Sequence, residues 1–193
     1  MKDWTNYQNE TYGDDVCKLL IEFLDNYKIE NAIDLGCGSG NETVYMIKNG
    51  IKVLAIDRQL NQDFILNRLS DNEKKMISFK ESSFEDVELS KTKLLTAFFS
   101  ILFCNPNNFD ELWTKIYNSI EDNGYFVGQL FGDRDAWNVV ESINTFSIDK
   151  VKEYLKNYNI IKLEENEYVR ESDNKKWHFY DIITQKKVGD KHE

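Results

Sequence analysis

Between residues 31 and 131 the sequence alternates short apolar runs with stretches of helical periodicity, and this alternation restricts the possible folds most. It predicts strands at about 32–35, 53–57, 76–79, 94–99 and 125–131, and helices at about 41–49, 62–71 and 109–120. Strands that alternate with helices pair in parallel, with helices on both faces of the sheet. We therefore expect an α/β fold with a doubly wound, mostly parallel sheet.

Both ends of the chain add elements to this pattern. A helix is predicted at about 15–27, and another from Ser147 or Asp149 to about residue 157. Two further strands, at 160–163 and 177–184, have no helix between them, and the polar tract 164–176 is expected to be their connection. They should form a hairpin, which gives a seven-stranded sheet with one antiparallel strand near its C-terminal edge.

The length of the chain indicates one domain that spans residues 1–193. A domain takes about 150 residues, and the 193 residues contain no repeat or linker that would mark a boundary. Residues 1–14 carry Trp4, Tyr7 and Tyr12, which form an aromatic lid over a pocket in one interpretation and pack against the first helix in the other. Residues 188–193 are expected to be a tail.

Charge and composition exclude several classes of partner. The net charge is −10, with only four arginines, so the chain lacks the basic surface that binds nucleic acid. The three cysteines are far apart, and we predict neither a disulfide framework nor a metal site. The longest apolar run, 94–104, is shorter than the roughly 20 residues that span a membrane, and the first ten residues show no secretory signal. We expect a cytoplasmic protein; no pattern indicates its oligomeric state.

A glycine-rich segment, Asp34-Leu35-Gly36-Cys37-Gly38-Ser39-Gly40, falls where the first predicted strand gives way to a helix. Glycines allow a sharp turn and close approach of the main chain to a ligand, and the helix that follows presents unpaired N–H groups. Asp57 ends the next strand, where an acidic side chain binds ribose hydroxyls. Asn41 replaces the third glycine of the dinucleotide fingerprint, which argues against a pyrophosphate. The acidic Asp34, two positions before the glycines, suits a cationic amine instead, so the pattern favours an adenosine-type cofactor that carries such an amine.

The glycine segment resembles motif I of class I S-adenosylmethionine-dependent methyltransferases, and Asp57 matches their ribose-binding acid. The segments 99–106, 112–113, 128–137 and 176–179 are similar to a bacterial branch of small methyltransferases close to the tellurite-resistance type. The resemblance covers roughly residues 15–187. It implies a Rossmann-like methyltransferase fold and S-adenosyl-L-methionine as the cofactor.

The resemblance also implies positions for the cofactor. The loop after the third strand contacts adenine in this family, which makes Ser83 and Phe84 candidates, and Phe99 would lie beside the methionine portion and the methyl group. The complete set of candidate cofactor-binding residues is Asp34, Gly36, Cys37, Gly38, Gly40, Asp57, Ser83, Phe84 and Phe99. Cys37 is expected to be a small packing residue rather than a nucleophile.

Two residues are candidates for catalysis. His178 is the histidine inside the predicted fold and could act as a general base, although a packed structural histidine explains it equally well. Asp133 follows the fifth strand, at the edge where ligands of open α/β sheets bind, and the alternative is a solvated turn.

These patterns predict transfer of a methyl group to a small-molecule acceptor by direct displacement. Because the sulfonium is already an activated leaving group, alignment and exclusion of water suffice, and no catalytic residue is obligatory. Two alternatives remain open at this point. One is a regulatory module that binds the cofactor without turnover, and the other is a nicotinamide-dependent oxidoreductase.

Overall fold

The computed structural model describes residues 4–188 and follows the predicted order of strands and helices. The helices are α1 (Thr5–Thr11), α2 (Lys18–Asn26), α3 (Asn41–Lys48), α4 (Gln62–Leu66), α5 (Phe109–Ser119) and α6 (Ile148–Tyr154). The strands are β1 (Asn31–Leu35), β2 (Lys52–Asp57), β3 (Ile77–Glu81), β4 (Thr92–Phe98), β5 (Ile120–Phe131), β6 (Tyr158–Arg170) and β7 (Lys175–Lys186). Residues 1–3 of the predicted lid and all but Val188 of the predicted tail lie outside the described residues.

The seven strands form one sheet in the order β3-β2-β1-β4-β5-β7-β6. The first five pair in parallel, whereas β7 is antiparallel to both β5 and β6. The prediction of a mostly parallel seven-stranded sheet with an antiparallel strand near the C-terminal edge is confirmed. The strand order reverses beside β1, because the chain proceeds to β2 and β3 on one side and then to β4 on the other. Ligands of open α/β sheets bind at such a reversal, outside the carboxyl ends of the strands.

Buried apolar side chains form two clusters. Ile33 and Leu35 of β1 belong to the cluster that includes side chains of α5 and α6. Ala32 of the same strand belongs to the cluster that includes side chains of α2 and α3. Because successive side chains of a strand point to opposite faces, the two clusters lie on opposite sides of the sheet.

Local sequence explains where the helices begin and end. In α5, Phe109, Leu112, Trp113 and Ile116 follow helical spacing, and all four are buried. Ahead of it, the Asn105 side chain accepts a hydrogen bond from the Asn107 N–H at 3.0 Å, so Asn105 and Pro106 open a turn. After α3, Gly50 has φ of +83°, the left-handed conformation that commonly ends a helix.

The structure departs from the predicted elements in two main places. The helix predicted at 62–71 ends at Leu66. The tract 164–176, predicted to be a connection, instead continues β6 and β7 as a long two-stranded ribbon that pairs as far as Arg170 with Lys175. Both faces of this ribbon are largely polar, so the sequence lacks the apolar alternation that indicates a strand, and cross-strand pairs such as Glu167 with Lys176, at 2.7 Å, stabilise it instead.

Candidate cofactor and acceptor site

A cavity of about 820 Å³ lies at the carboxyl edge of the sheet, beside the reversal of strand order. Its floor comes from the loop after β1 and from the ends of β2, β4 and β5. The segment that holds α1 and the tip of the β6–β7 ribbon also contribute to its wall. The volume is near the upper end of the range of about 300–1,000 Å³ for small-molecule sites, which leaves room for an acceptor beside a nucleoside.

The three glycines of the loop after β1 all have positive φ, but they have different neighbours. A methyl group on Gly36 would overlap Ser100, and one on Gly40 would overlap Ile65, so these glycines permit close packing inside the protein. A methyl group on Gly38 would meet no protein atom within 4 Å. Gly38 lines the cavity, and Gly40 does not. Gly38 therefore offers bare main chain to a ligand.

Asp57 lies at the end of β2 and faces the same loop. Its carboxylate accepts a hydrogen bond from the Gly38 N–H at 2.9 Å and another from the Gln59 N–H at 3.0 Å. A carboxylate has about four acceptor positions, so two remain for hydroxyl groups of a ligand. Asp57 both shapes the glycine loop and lines the cavity.

Asp34 lies behind the loop rather than at the cavity wall. It is 3% exposed, and its two oxygens accept hydrogen bonds from the hydroxyls of Thr43, at 2.5 Å, and Thr96, at 3.0 Å. Burial raises the pKa of this carboxyl to about 7. The structure does not place the side chain among the cavity-lining residues, so Asp34 supports the loop from beneath instead of contacting a ligand.

Glu42, in the first turn of α3, brings a different carboxylate to the cavity. Its Oε1 accepts a hydrogen bond from the Cys17 N–H at 3.1 Å, and burial raises the pKa of the group. Sequence reasoning missed this residue, although an acidic side chain in the turn after a glycine loop is a signal that could have indicated it. Cys37 also lines the cavity, and burial raises the pKa of its thiol, in keeping with a packing role.

The other candidates for cofactor binding divide between cavity and exterior. Phe84 and Phe99 line the cavity. The Ser83 hydroxyl instead donates to the Asp86 carboxylate at 2.8 Å and accepts from the Asp86 N–H at 3.2 Å, so it closes a local turn. Its neighbour Ser82 lines the cavity in its place.

Neither catalytic candidate reaches the cavity. His178 is 0% exposed, and its Nδ1 accepts the Arg134 N–H at 3.0 Å, so the hydrogen on Nε2 faces Glu165 at 2.8 Å. Strand alternation places His178 on the face of β7 opposite Trp177 and Phe179, which do line the cavity. The structure therefore places His178 among buried contacts and away from the cavity, where the expected general-base role would require it to be.

Asp133 is likewise absent from the cavity wall. Its carboxylate lies 3.8 Å from the Arg134 guanidinium and 3.7 Å from His178 Nδ1, on the outer side of the ribbon. Asp133 therefore lies in a turn, as the alternative expectation has it, and forms an ion pair with Arg134. The structure does not place it at the cavity wall, where a contact with a substrate would require it to be.

The segment around α1 closes one side of the cavity. Trp4, Tyr7 and Thr11 line it, whereas Tyr12 packs outside it with its ring centroid 4.8 Å from that of Phe64. The Thr11 carbonyl accepts a hydrogen bond from the Asn41 side chain at 2.8 Å, so α1 is attached to the first turn of α3. The described part of this segment thus contains a helix whose C-terminal end contacts Ser39 and Asn41.

The tip of the ribbon contributes Tyr168, Arg170, Lys175 and Trp177 to the cavity wall. Sequence reasoning missed the first three because they fall in the tract predicted to be a connection. Gln129 of β5, also unpredicted, lines the cavity and donates to the Asp181 carboxylate at 2.7 Å.

Among residues 4–188, no group of three or more His, Cys, Asp or Glu side chains is arranged to hold a metal ion. Within the same range, no helix combines the length and apolar character needed to cross a membrane.

The strand order and the glycine loop with its paired Asp57 define the class of fold: the chain has the fold of solved S-adenosylmethionine-dependent methyltransferases. Within that class, it belongs to the TehB family. The family model, described as tellurite resistance protein TehB, matches residues 5–176.

Comparison with solved structures agrees with this placement. TehB from Haemophilus influenzae superimposes with a TM-score of 0.78 at 18% identity, covering 94% of this chain and 66% of that protein. A 1,6-didemethyltoxoflavin-N1-methyltransferase from Burkholderia thailandensis, solved with its substrate and S-adenosylhomocysteine, gives a TM-score of 0.69 at 13% identity, covering 97% of this chain and 92% of that one. At these identities the structural matches show the fold.

A curated protein is more similar in sequence to this chain than the two solved structures are, but the similarity covers a smaller part of the chain. The carboxy-S-adenosyl-L-methionine synthase of Nautilia profundicola is 26% identical over an alignment of 116 positions, and the match covers 56% of this chain. The match spans 48% of the length of that synthase.

Proposed function

We propose that the protein binds S-adenosylmethionine at the carboxyl edge of its sheet and transfers the methyl group to a small-molecule acceptor. One observation carries the proposal: the main chain at Gly38 is bare toward the cavity, and the adjacent Asp57 carboxylate retains acceptor capacity. Membership of the TehB family supports the same activity.

The chain's own groups fit the parts of this cofactor. Asp57 would accept hydrogen bonds from the ribose hydroxyls, and Phe84 would pack against the adenine. Gly36 and Gly38 would lie along the methionine portion, while Glu42 offers a negative charge to its ammonium group. We assign Asp34 the indirect role of fixing the loop through Thr43 and Thr96.

The cofactor supplies a methyl group already activated by a sulfonium. What the protein must do is hold the acceptor in line with that carbon and keep water out, which is catalysis by position. The described residues that line the cavity include no histidine. We propose that an acceptor loses its proton to water or ionises before it binds.

Several features of this proposal extend beyond the active site. We propose a doubly wound single domain, supported by the two apolar clusters that join helices to opposite faces of the sheet. We also propose that the segment before residue 15 is a lid, supported by the contacts of α1 with Gln59 and Asn41. The cytoplasmic location, the bacterial origin and the absence of nucleic-acid partners stay predictions of the sequence.

Titration calorimetry with S-adenosylmethionine and with S-adenosylhomocysteine tests the proposal. We expect both to bind at micromolar concentrations, and NADH, followed by its fluorescence, to bind far more weakly. A panel of phenols, amines, thiols and oxyanions is then screened for release of S-adenosylhomocysteine. Binding without turnover on any acceptor would favour a regulatory module, and preferential NADH binding would contradict the assignment.

A further inference from the structure

The cavity wall away from the glycine loop is built from aromatic rings. The Phe99 ring stacks on Phe131 with centroids 5.2 Å apart and planes 22° from parallel. The rings of Trp177 and Phe179 meet Phe99 edge-on at 5.6 and 5.2 Å. All four residues line the cavity, and Phe99 and Trp177 are only partly buried.

The backbone at the centre of this cluster is strained. Phe99 has φ of +48°, in the left-handed region that a bulky side chain rarely adopts. The Ser100 hydroxyl donates to the Leu35 carbonyl at 2.6 Å and joins this turn to the end of β1. Strain of this kind persists where the surroundings impose it and concentrates at functional sites. The fold therefore holds the Phe99 ring in place beside the expected position of the methyl group.

The ribbon tip adds a second pair of rings. Tyr168 and Trp177 lie with their planes 11° from parallel and their centroids 6.4 Å apart, and Tyr168 remains 51% exposed. The Lys175 ammonium lies 4.1 Å from the Trp177 ring centroid and 4.6 Å from that of Trp137. The buried indole N–H of Trp177 has no hydrogen-bond partner among the described residues. A buried donor of this kind is costly to leave unpaired.

Charge argues against a multiply charged inorganic anion in this cavity. The carboxylates among its described lining residues outnumber the cations: Glu10, Asp14, Asp15, Glu42, Asp57 and Glu85 against Arg58, Arg170 and Lys175. Arg170 is already paired with Asp173 through two hydrogen bonds. The partly exposed faces of the aromatic rings would bind a flat, weakly charged molecule more favourably than such an anion.

We propose that the methyl acceptor is a planar aromatic molecule with a nucleophilic oxygen or nitrogen, bound against Phe99, Trp177 and Tyr168. This inference rests on the proposed methyltransferase function. A lone pair on the acceptor oxygen or nitrogen forms the new bond to the methyl carbon, the carbon–sulfur bond breaks with its electrons passing to sulfur, and the acceptor's proton goes to water. Aromatic walls orient the ring, so the attacking atom is presented in one plane.

Binding in the presence of S-adenosylhomocysteine tests the acceptor class without depending on chemical reactivity. The probes are 4-hydroxybenzoate and 8-hydroxyquinoline, their saturated counterparts 4-hydroxycyclohexanecarboxylate and decahydroquinolin-8-ol, and tellurite. Quenching of tryptophan fluorescence and calorimetry report binding. We expect at least one aromatic probe to bind about tenfold or more tightly than its saturated counterpart. When S-adenosylmethionine is supplied as the methyl donor, the same probe should be methylated and S-adenosylhomocysteine should be released.

Variants of the exposed Tyr168 assign the effect to the wall. Tyr168→Ala should weaken binding of that aromatic probe about three- to tenfold, Tyr168→Phe should retain it, and the control Val169→Ala, outside the cavity wall, should not change it. If S-adenosylhomocysteine binds but saturated probes or tellurite bind as tightly as the aromatic ones, the aromatic acceptor is wrong and the methyltransferase proposal stands. If S-adenosylhomocysteine itself does not bind, the proposed function fails and this inference fails with it.

Discussion

Replacement of Gly38 by alanine should separate the cofactor site from the stability of the fold. The residue has φ of +53° and no protein atom within 4 Å of an added methyl group. An alanine in the left-handed conformation costs about 1–2 kcal/mol of stability. For a chain of this size, this corresponds to a fall in Tm of about 2–8 °C. The variant should therefore fold.

The same methyl group should greatly weaken cofactor binding. It would occupy the space that we assign to the cofactor's close approach, and overpacking a close contact costs about 1–3 kcal/mol. The Kd of S-adenosylhomocysteine should rise about 5- to 150-fold. The hydrogen bond from the residue 38 N–H to Asp57 is retained, because alanine keeps its N–H.

Gly50 provides the matched control. It also has a positive φ, of +83°, and open space around an added methyl group, but it lies after α3 and away from the cavity wall. Gly50→Ala should lose similar stability in urea unfolding and bind S-adenosylhomocysteine with wild-type affinity in calorimetry. If Gly38→Ala binds S-adenosylhomocysteine with wild-type affinity, or if both variants lose affinity equally, the cofactor does not lie against the main chain at Gly38.

Three further changes test other parts of the site. Asp57→Ala should weaken S-adenosylhomocysteine binding in calorimetry by about 1.5–3 kcal/mol, the value of a hydrogen bond to a charged group, and an unchanged Kd would contradict the ribose assignment. Asp34 has a pKa raised from 3.8 to about 7 in the folded protein. The folded state therefore holds this proton more tightly, and wild-type stability should fall relative to Asp34→Asn as pH rises from about 4 to about 7, with no further change above. Urea unfolding across this range measures the difference, and a constant difference would show that Asp34 is not protonated. His178→Ala should lower the free energy of unfolding by about 2–4 kcal/mol, because a packed ring and its hydrogen bonds are lost. Its Kd for S-adenosylhomocysteine should remain unchanged, and a selective loss of turnover in a folded variant would restore the general-base role.

Local sequence signals predicted the central part of the sheet and the loop after β1. The apolar runs of β1, β2, β4 and β5 are buried on both faces, which gives a strong signal in any context. The glycines between Asp34 and Asn41 indicate a turn, because glycine adopts positive φ readily. In the structure all three of them have positive φ. The sequence could therefore place Gly38 and Asp57 at the carboxyl edge of the sheet, where both line the cavity.

The rest of the site depends on contacts between distant parts of the chain. Trp177 and His178 alternate on β7, and the sequence does not indicate which of them faces the cavity until β7 is paired with β5. Tyr168 and Lys175 belong to a polar ribbon without apolar periodicity. The sequence predicts that Asp34 contacts the amine of the cofactor. It does not show that the hydroxyls of Thr43 and Thr96 lie beside the Asp34 carboxylate and donate hydrogen bonds to it.

A crystal structure of the protein with S-adenosylhomocysteine would test the central claim most directly. We expect the ribose hydroxyls to lie within hydrogen-bond distance of the Asp57 carboxylate. The methionine portion should lie against the main chain at Gly38, with its sulfur directed toward Phe99. A ligand bound elsewhere, or a cavity filled by side chains with no ligand at the glycine loop, would contradict it.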